Sequence, residues 1–448
     1  MQRSSAKNRI RLAALLLSLC VLLACGEQPV SPTPTPEPTA ETVPVVDVIS
    51  ETRTAAPTPE PTEPPTPEPT EPPTPEPTAT PVPTPIRVTV GAVGDIMAPS
   101  QIVEDAKVSG GTYDFSALFE AFSELFQSVD LMCGNLESPL AGKEAGYSAK
   151  TDDGALVFNA PDTLLDALKA SGMDVLTTAN NHCLDKDAAG LFRTIETIRS
   201  AGFYQTGTYL SAEDREQPLI VEINGIRIGI VAATRKPNAS KTKRHITDEE
   251  TKTVVGLLID GERITDAAKR DIARAKEAGA EFVIFFAHWD YESDNPTAEV
   301  TKGLARQLFE AGADCIIGSH PHRIKGAQYM TVQRADGPYT GLVLYSLGNF
   351  VANNRFELMV GLFATLTLEK DFATGRVTLV DAGVLPTLSM RRAGSKQRFT
   401  VIPAYADPSR ITGLRTALTD AEIQSIAKAR DHAWKRLGTC EGLRILDE

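Results

Sequence analysis

From residue 86 onward the sequence predicts a layered α/β sandwich. Apolar runs that are typical of buried strands alternate with amphipathic runs that have the period of a helix. After residue 318 this pattern changes, and strand-like segments follow one another without helices between them. These late strands favour a layered sandwich with an antiparallel part over a plain doubly wound sheet.

Each element is predicted from its own periodicity, in chain order. Strands are expected at 88–93, 131–133, 174–178, 282–287, 315–317, 342–346, 358–368 and 377–384, and helices at 115–127, 161–171, 188–201, 264–278, 298–311 and 421–436. Asn224-Gly225, between the alternating apolar residues of 219–231, predicts a β-hairpin. We expect one large domain over 86–405 and a C-terminal helical extension over 406–448.

The first 24 residues have the pattern of a secretory signal peptide. Four basic residues precede an apolar stretch, 12–24, which is too short to span a bilayer as a helix. The segment ends in Leu22-Leu23-Ala24-Cys25-Gly26, which resembles a lipobox. We therefore expect lipid on Cys25 and a lipid-anchored, extracytoplasmic protein. The alternative is an ordinary signal peptide that is cleaved after a small residue.

Residues 25–85 are predicted to be a disordered spacer. Residues 29–85 hold 20 of the 31 prolines, mostly in Thr-Pro-Glu-Pro repeats, and almost no large apolar side chains. Such a sequence favours extended polyproline II and cannot build a core. Of the net charge of −13, residues 86–448 carry −8, so nucleic acid is not an expected partner.

Four of the six histidines follow predicted strands, and this placement predicts a metal site. His320 and His322 come two residues apart just after strand 315–317, and His288 ends strand 282–287. His182 follows strand 174–178. Neutral imidazole is the commonest protein ligand for transition metals. The alternative for any one histidine alone is a capping or core-edge role.

Carboxylates and amides occupy the same kind of position. Asp95 closes the first strand, Glu137 follows the second, and Asn181 follows the third. Mixed oxygen and nitrogen ligands suit manganese, iron or zinc, and a carboxylate that can bridge suggests two ions. Two ions roughly 3.5–4 Å apart would activate water and polarise the bond under attack.

Six motifs in this order resemble the CapA (PgsA-like) family of poly-γ-glutamate capsule proteins, a branch of the calcineurin-like metallophosphoesterases. The motifs are Gly94-Asp95, Gly134-Asn135-Leu136-Glu137, Asn180-Asn181-His182, His288-Trp289, Gly318-Ser319-His320-Pro321-His322 and Ser346-Leu347-Gly348-Asn349-Phe350. The resemblance covers about 88–390 and implies a four-layer αββα sandwich with a dinuclear metal site. It implies metal ligation by Asp95, Glu137, Asn181, His288, His320 and His322, and a catalytic role for His182.

The chain departs from the family pattern at three positions. Met97 stands where phosphoesterases usually have a histidine, and Asn135 stands where they have an aspartate. Asn135 therefore remains an alternative to Glu137 as a ligand. Asp290 replaces the glycine of the family's HWG-x-E pattern, which suggests either a narrower groove or an additional ligand.

A basic segment follows the predicted hairpin. Arg235, Lys236, Lys241, Lys243 and Arg244 occur with no acidic residue before Asp248. In an otherwise acidic domain such a segment would attract a polyanion, although a solvated loop is an equally simple interpretation.

Three functions compete at this point. The resemblance implies a metal-dependent hydrolase or transferase that acts on an anionic polymer, poly-γ-glutamate, at its amide bond. The second is a phosphoesterase acting on a cell-envelope phosphate ester. The third is a non-catalytic lipoprotein scaffold for a membrane polymer synthase, which would have no need of buried histidines.

Overall fold

The computed structural model describes residues 84–152, 154–238, 247–394 and 396–447. The predicted signal peptide, Cys25 and nearly all of the predicted spacer lie outside these residues. Within them, the strands are β1 Ile86–Ile96, β2 Leu131–Leu136, β3 Ala149–Lys150, β4 Leu156–Val157, β5 Val175–Thr177, β6 Tyr204–Thr206, β7 Leu219–Ile223, β8 Ile226–Thr234, β9 Ile259–Asp260, β10 Arg263–Ile264, β11 Phe282–His288, β12 Cys315–Ser319, β13 Ile324–Arg334, β14 Gly337–Leu347, β15 Asn349–Val351, β16 Val360–Asp371, β17 Arg376–Arg391, β18 Phe399–Pro403 and β19 Leu443–Ile445.

The described residues also form ten α-helices. They are α1 Ser100–Asp105, α2 Ser116–Phe119, α3 Ser123–Gln127, α4 Thr163–Ser171, α5 Asp187–Ser200, α6 Ala212–Arg215, α7 Asp248–Val254, α8 Asp266–Glu277, α9 Glu299–Glu310 and α10 Asp420–Leu437. None of the helices in the described ranges is long and apolar enough to cross a membrane.

Two large sheets form the centre of the fold. Sheet I has the order β18-β17-β16-β1-β2-β5-β6, with β15 paired to β1 and β19 paired to β17. Sheet II has the order β13-β14-β12-β11-β8-β7. In sheet II the strands from β14 to β8 are parallel, and one antiparallel strand flanks them on each side. In sheet I the parallel strands β1, β2, β5 and β6 form one half, and the antiparallel strands β16, β17 and β18 form the other. The mixture agrees with the prediction of an α/β sandwich.

Three apolar clusters define four layers. One cluster joins the facing sides of the two sheets, with Val90 of β1 and Ile284 of β11 among its members. A second packs α1 to α4 on the outer side of sheet I, and a third packs α8 and α9 on the outer side of sheet II. The order is therefore helices, sheet, sheet, helices. Helix α10 buries Ile426, Ala429 and Ala433 against the first of these clusters.

Local sequence explains the β7–β8 hairpin but not the structure of residues 115–127. The β7–β8 hairpin turns at Asn224 and Gly225, whose φ values of 51° and 79° are those of a turn with two left-handed residues. The predicted helix 115–127 is broken instead into α2, a 3₁₀ turn at Glu120–Phe122, and α3. Phe119, Phe122 and Phe126 of this segment pack on Phe350, so side-chain packing overrides helical periodicity here.

Candidate metal centre

The site lies where strand ends of the two sheets converge. In sheet I, Asp95 of β1 is in register with Asn135 of β2, and Glu137 follows β2 directly. In sheet II, His288 ends β11 in register with Ser319, which ends β12 just before His320. The carboxyl ends of parallel strands are where open α/β sheets place their chemistry. The site is thus assembled from both sheets.

Five of the six predicted ligands form two overlapping groups. Asp95, Glu137 and His288 form one group, and Glu137, His320 and His322 form the other; within each group the ligand atoms lie within 4.8 Å of one another. Glu137 belongs to both groups, which is the arrangement expected for a carboxylate that bridges two ions. Nε2 of His288 is 3.6 Å, and Nε2 of His322 is 3.9 Å, from Oε1 of Glu137.

Asn181 lies beside the first group. Its Oδ1 is 2.8 Å from Nε2 of His288, on the same nitrogen that approaches Glu137. The amide oxygen, the imidazole nitrogen and the carboxylate therefore converge on one place. Asn135, the alternative to Glu137, instead donates its amide hydrogen to Oδ1 of Asp95 at 2.7 Å. This hydrogen bond orients Asp95 and leaves Glu137 as the free oxygen donor.

Unpartnered buried atoms show that the residues fit metal ions. Both carboxylate oxygens of Glu137 and Nδ1 of His320 are buried without a hydrogen bond among the described residues. Leaving a buried carboxylate unpaired is costly, and metal coordination is one of the few ways to offset that cost. Carboxylate and imidazole donors together suit manganese, iron or zinc.

The pKa shifts within the site also favour metal binding. Burial raises the pKa of Glu137 well above its usual range, and the charge of Asp95 adds to this effect. Burial opposes ionisation of Asp95, but the hydrogen bond from His322 and the charge of His288 outweigh it and hold the Asp95 pKa at about 2. Burial lowers the pKa of His288 well below its usual range and that of His320 to about 4.

His322 shows the opposite shift. Burial would lower its pKa, but the charge of Glu137 and the hydrogen bond to Asp95 outweigh burial and raise it to about 10. The carboxylates thus attract positive charge to the centre of the site. Metal ions would supply that charge while the imidazoles remained neutral ligands.

The turn that carries His320 and His322 is backbone-strained. Both residues have positive φ values, 91° and 55°, which few non-glycine residues adopt. Strain of this kind persists where the surrounding structure fixes it, typically at functional sites. Gly318, just before the turn, has no room for a side chain, because a Cβ there would come within 2.0 Å of the Tyr345 carbonyl oxygen.

Asn349, in the last of the six motifs, orients His322. Its Oδ1 lies 2.9 Å from Nδ1 of His322, and its amide donates to the Leu358 carbonyl at 2.7 Å, which fixes the side-chain orientation. A proton on Nδ1 leaves Nε2 as the lone-pair nitrogen on the side of Glu137. The sequence showed this motif as the last of the six but predicted no role for Asn349.

His182 stands apart from both ligand groups and is paired with Asp185. The His182 Nδ1 lies 2.7 Å from Oδ2 of Asp185, which also accepts the Phe158 backbone N–H at 2.7 Å. The Phe158 ring lies 4.4 Å from the imidazole ring. The imidazole is therefore held in one orientation by a carboxylate, as expected of a proton-transfer group. The role of Asp185 was not predicted, although its i+3 position in the same turn was visible in the sequence.

Asp290 does not act as an additional ligand in this geometry. It is buried and lies in neither ligand group. Burial raises its pKa, and the charge of Lys325 opposes that shift. Its φ of 67° explains why the family pattern has glycine at this position, since aspartate is one of the few other residues that adopt it.

A backbone test follows for Asp290. We expect Asp290→Ala to lower the free energy of unfolding by about 1 kcal/mol more than Asp290→Gly does, because alanine is strained at positive φ and glycine is not. Both substitutions remove the carboxylate and its contacts, so their difference reports the backbone conformation. Denaturant unfolding of the two variants measures it, and equal stabilities would contradict the assignment.

A cavity of about 360 Å³ opens beside the ligand groups. His182, His322 and Glu292 reach its wall together with five asparagines, Asn181, Asn238, Asn349, Asn353 and Asn354. No lysine or arginine lines it among the described residues. The wall therefore offers amide and imidazole groups and one carboxylate.

The basic segment begins close to the site. The Arg235 backbone N–H donates to the His288 carbonyl at 2.9 Å, and its guanidinium lies 4.3 Å over the Tyr291 ring. Lys236 follows it. Lys241, Lys243 and Arg244 lie outside the described residues, so polyanion binding by the whole segment stays a prediction.

Fold and site together define an α/β sandwich protein with a candidate two-metal centre between its sheets. The model of the family described as "Bacterial capsule synthesis protein PGA_cap" matches residues 89–354, and the chain belongs to this family. It is 29% identical over 268 residues to "Capsule biosynthesis protein CapA" of Bacillus anthracis, covering 59% of this chain and 60% of that protein.

A second relative has a similar name. "PGA biosynthesis protein CapA" of Bacillus subtilis (strain 168) is 27% identical over 264 residues, covering 58% of this chain and 62% of that protein. The matched part thus spans about 60% of these curated relatives. The family membership confirms the resemblance given by the six motifs.

Solved structures with a detectable likeness are more distant. A hypothetical protein from Thermus thermophilus is 14% identical, covering 66% of this chain and 98% of its own, with a TM-score of 0.36. A phosphatase from Mycoplasma pneumoniae is 11% identical, covering 67% and 93%, with a TM-score of 0.35. At these identities and TM-scores, the similarity gives no information about activity.

Proposed function

We propose that this protein is a metal-dependent enzyme that cleaves or transfers an amide bond of an anionic polymer, poly-γ-glutamate, outside the cell. The observation that carries the proposal is Glu137, a buried carboxylate with no hydrogen bond among the described residues that belongs to both ligand groups. The names of the two Bacillus relatives, which refer to capsule and PGA biosynthesis, support the choice of polymer.

The residues present suit such a reaction. Asp95, Glu137, Asn181, His288, His320 and His322 would hold two divalent ions, manganese, iron or zinc. Ions there would polarise the carbonyl of the bond under attack and lower the pKa of water. His182, oriented by Asp185, would give a proton to the leaving nitrogen. The asparagines of the cavity would orient the polymer's amide through hydrogen bonds.

A phosphoesterase is the second candidate. The family resemblance to calcineurin-like metallophosphoesterases favours it, and so does the position of the site between the two sheets. Two metal ions would themselves clamp phosphoryl oxygens, so the lining of the cavity, which has no arginine or lysine among the described residues, is compatible with this candidate. The names of the two Bacillus relatives favour the polymer instead.

Parallel assays distinguish the candidates. Metal-loaded protein is incubated with poly-γ-glutamate and, separately, with a generic phosphodiester, each with and without a chelator. The proposal predicts new amino termini from the polymer that the chelator abolishes. Phosphodiester cleavage alone would establish the second candidate. Polymer binding without any turnover would support the third reading, a scaffold for a membrane polymer synthase.

The basic segment is expected to steer the polymer to the site. Neutralising Arg235, Lys236, Lys241, Lys243 and Arg244 to glutamine removes five positive charges. The apparent affinity for poly-γ-glutamate should fall, and its salt dependence should flatten, because screening has less attraction left to weaken. Titrations at low and high salt measure both effects. If the affinity depended on salt equally in the wild type and in the neutralised variant, the segment would be a solvated loop with no role in polymer binding.

Lipidation of Cys25 would place the enzyme at the cell membrane. Cys25→Ala is expected to leave the protein unprocessed or released from membranes, because the anchor is then missing. Cell fractionation and detection of labelled lipid measure this. Wild-type protein that carries no lipid and is found in the medium would contradict the anchor.

A further inference from the structure

A second cavity lies against the loop between β11 and α9, residues 289–298. It has a volume of about 400 Å³ and is formed by β13, the end of α10 and the segment after Asp294. Four cations line it, Lys302, Lys325, Lys435 and Arg436, against a single carboxylate, Asp294. We call it the basic cavity.

Nearby carboxylates balance only part of this charge. Lys302 pairs with Glu299 at 2.6 Å, and Lys325 faces Asp290. The Asp294 carboxylate pairs at 2.9 Å with Arg323, which lies behind the lining. Two cations, Lys435 and Arg436, remain without a carboxylate partner among the described residues.

Among the described residues, Arg436 and Lys325 donate hydrogen bonds to carbonyls and to no carboxylate. Arg436 donates to the carbonyls of Ile324 and Asp294 at 3.3 and 3.0 Å, so its hydrogen bonds go to neutral groups. Burial lowers the pKa of Lys325; the charges of Asp290 and Asp294 oppose this shift, and the charges of Arg436 and Arg323 add to it. Like charges gathered around a cavity favour an anionic ligand in it.

The basic cavity is close to the metal centre along two paths. Lys325 is three residues beyond His322, which at roughly 3.3 Å per residue is within about 10 Å along the chain. On the loop, Glu292 lines the cavity beside the metals, and Asp294 lines the basic cavity. His322 also lines the cavity beside the metals, and Ile324 and Lys325 line the basic cavity, so the two cavities are neighbours along both segments.

We propose that the basic cavity is a second binding site, which takes the carboxylate groups of an acidic polymer whose reacting bond lies at the metals. This rests on the proposed function. The cavity beside the metals offers amides, and the basic cavity offers cations, so the two would hold the amide backbone and the free carboxylates of one chain. Lys435 is exposed, and the Lys302–Glu299 pair is an exposed i,i+3 pair of the kind that contributes little, so both cations are available to a ligand.

The simpler alternative is that the cations only stabilise the protein. Basic residues in the last turn of a helix interact favourably with its dipole, and Arg436 and Lys325 hold the carbonyls of the loop. Under that alternative, Arg436 and Lys325 are needed for the stability of the loop. Lys302 and Lys435 then bind no ligand. These two lysines therefore separate the interpretations.

The test uses the full-length protein carrying His182→Asn, so that the polymer is not consumed. Binding of fluorescently labelled poly-γ-glutamate and of a γ-glutamyl dipeptide is measured by anisotropy at low and physiological salt. The test variant is Lys302→Gln with Lys435→Gln. The matched control is Lys107→Gln with Lys269→Gln, which removes two lysines from exposed i,i+3 pairs elsewhere on the surface.

The proposal predicts that the test variant binds the long polymer about 10-fold more weakly at low salt, because two cations next to the ligand are lost. Dipeptide binding and the melting temperature should stay as in the parent, and the control should bind both ligands normally. Lys435→Gln alone, which breaks no ion pair among the described residues, should show part of the same loss.

Two results would overturn the proposal. Polymer affinity within twofold of the parent in the test variant would leave the basic cavity a stabilising feature, while the proposed function stood. No polymer binding by the parent protein would remove both the proposed function and this site. The two failures are distinguishable, because only the second is seen without the lysine substitutions.

Discussion

Replacing His320 and His322 together with alanine is expected to abolish binding of the ion that we assign to Glu137, His320 and His322, while the chain stays folded. The two imidazoles supply two of the three side chains in that ligand group, so its affinity should fall below detection. They sit on a turn after β12, and neither belongs to an apolar cluster. Metal analysis of purified protein, with circular dichroism for the fold, measures both outcomes.

His432→Ala is the matched control for that experiment. His432 lies on α10, is partly exposed, and belongs to neither ligand group. Its loss should leave the metal content unchanged. If the His320/His322 double variant held as much metal as the wild type, the ligand assignment would be wrong.

Replacing His182 with asparagine is expected to lower turnover by ~10²–10⁴-fold, the usual contribution of a general acid. Metal content should stay within error of the wild type, because the hydrogen bonds of His182 go to Asp185 and Asn180 rather than to the ligand groups. Asp185→Asn should lower turnover less, since it removes only the group that orients the imidazole. Single-turnover rates and metal analysis on the same samples separate the two roles.

Other results of the His182→Asn experiment would assign other roles to His182. If metal content and turnover fell by the same factor, His182 would be a metal ligand. Full activity of His182→Asn would make the His182–Asp185 pair structural, and the proton would need another donor. Glu292, whose side chain lines the same cavity, would then be the next candidate.

The sequence predicted the parts of the site that depend on strand ends. Asp95, His288 and the turn with His320 and His322 each follow a buried apolar strand, and the pairing of parallel strands brings such ends together. The order of the motifs then indicated the family. Local patterns and strand polarity were sufficient for this much.

Contacts between distant segments were not predictable in the same way. The hydrogen bond from Asn135 to Asp95 and the pairing of Asn349 with His322 depend on the register between strands, which no local pattern encodes. The break in the predicted helix 115–127 comes from packing against Phe350, more than 220 residues later. Strand β13 was missed because its residues alternate between buried and exposed only in part.

Asp290 illustrates a different limit. From the sequence, a carboxylate two residues after His288 suggested an additional ligand. The structure instead has a left-handed residue that belongs to neither ligand group and whose carboxylate interacts with the charge of Lys325. Residue type alone could not distinguish a ligand from a replacement for glycine.

The proposed two-metal centre depends most on Glu137 as a carboxylate shared by two ions. Anomalous diffraction from crystals of the manganese- or zinc-loaded protein tests this directly. We predict two peaks on either side of the Glu137 carboxylate, roughly 3.5–4 Å apart, one near Asp95 and His288 and the other near His320 and His322. A single peak remote from Glu137, or no peak in the site at saturating metal, would contradict it.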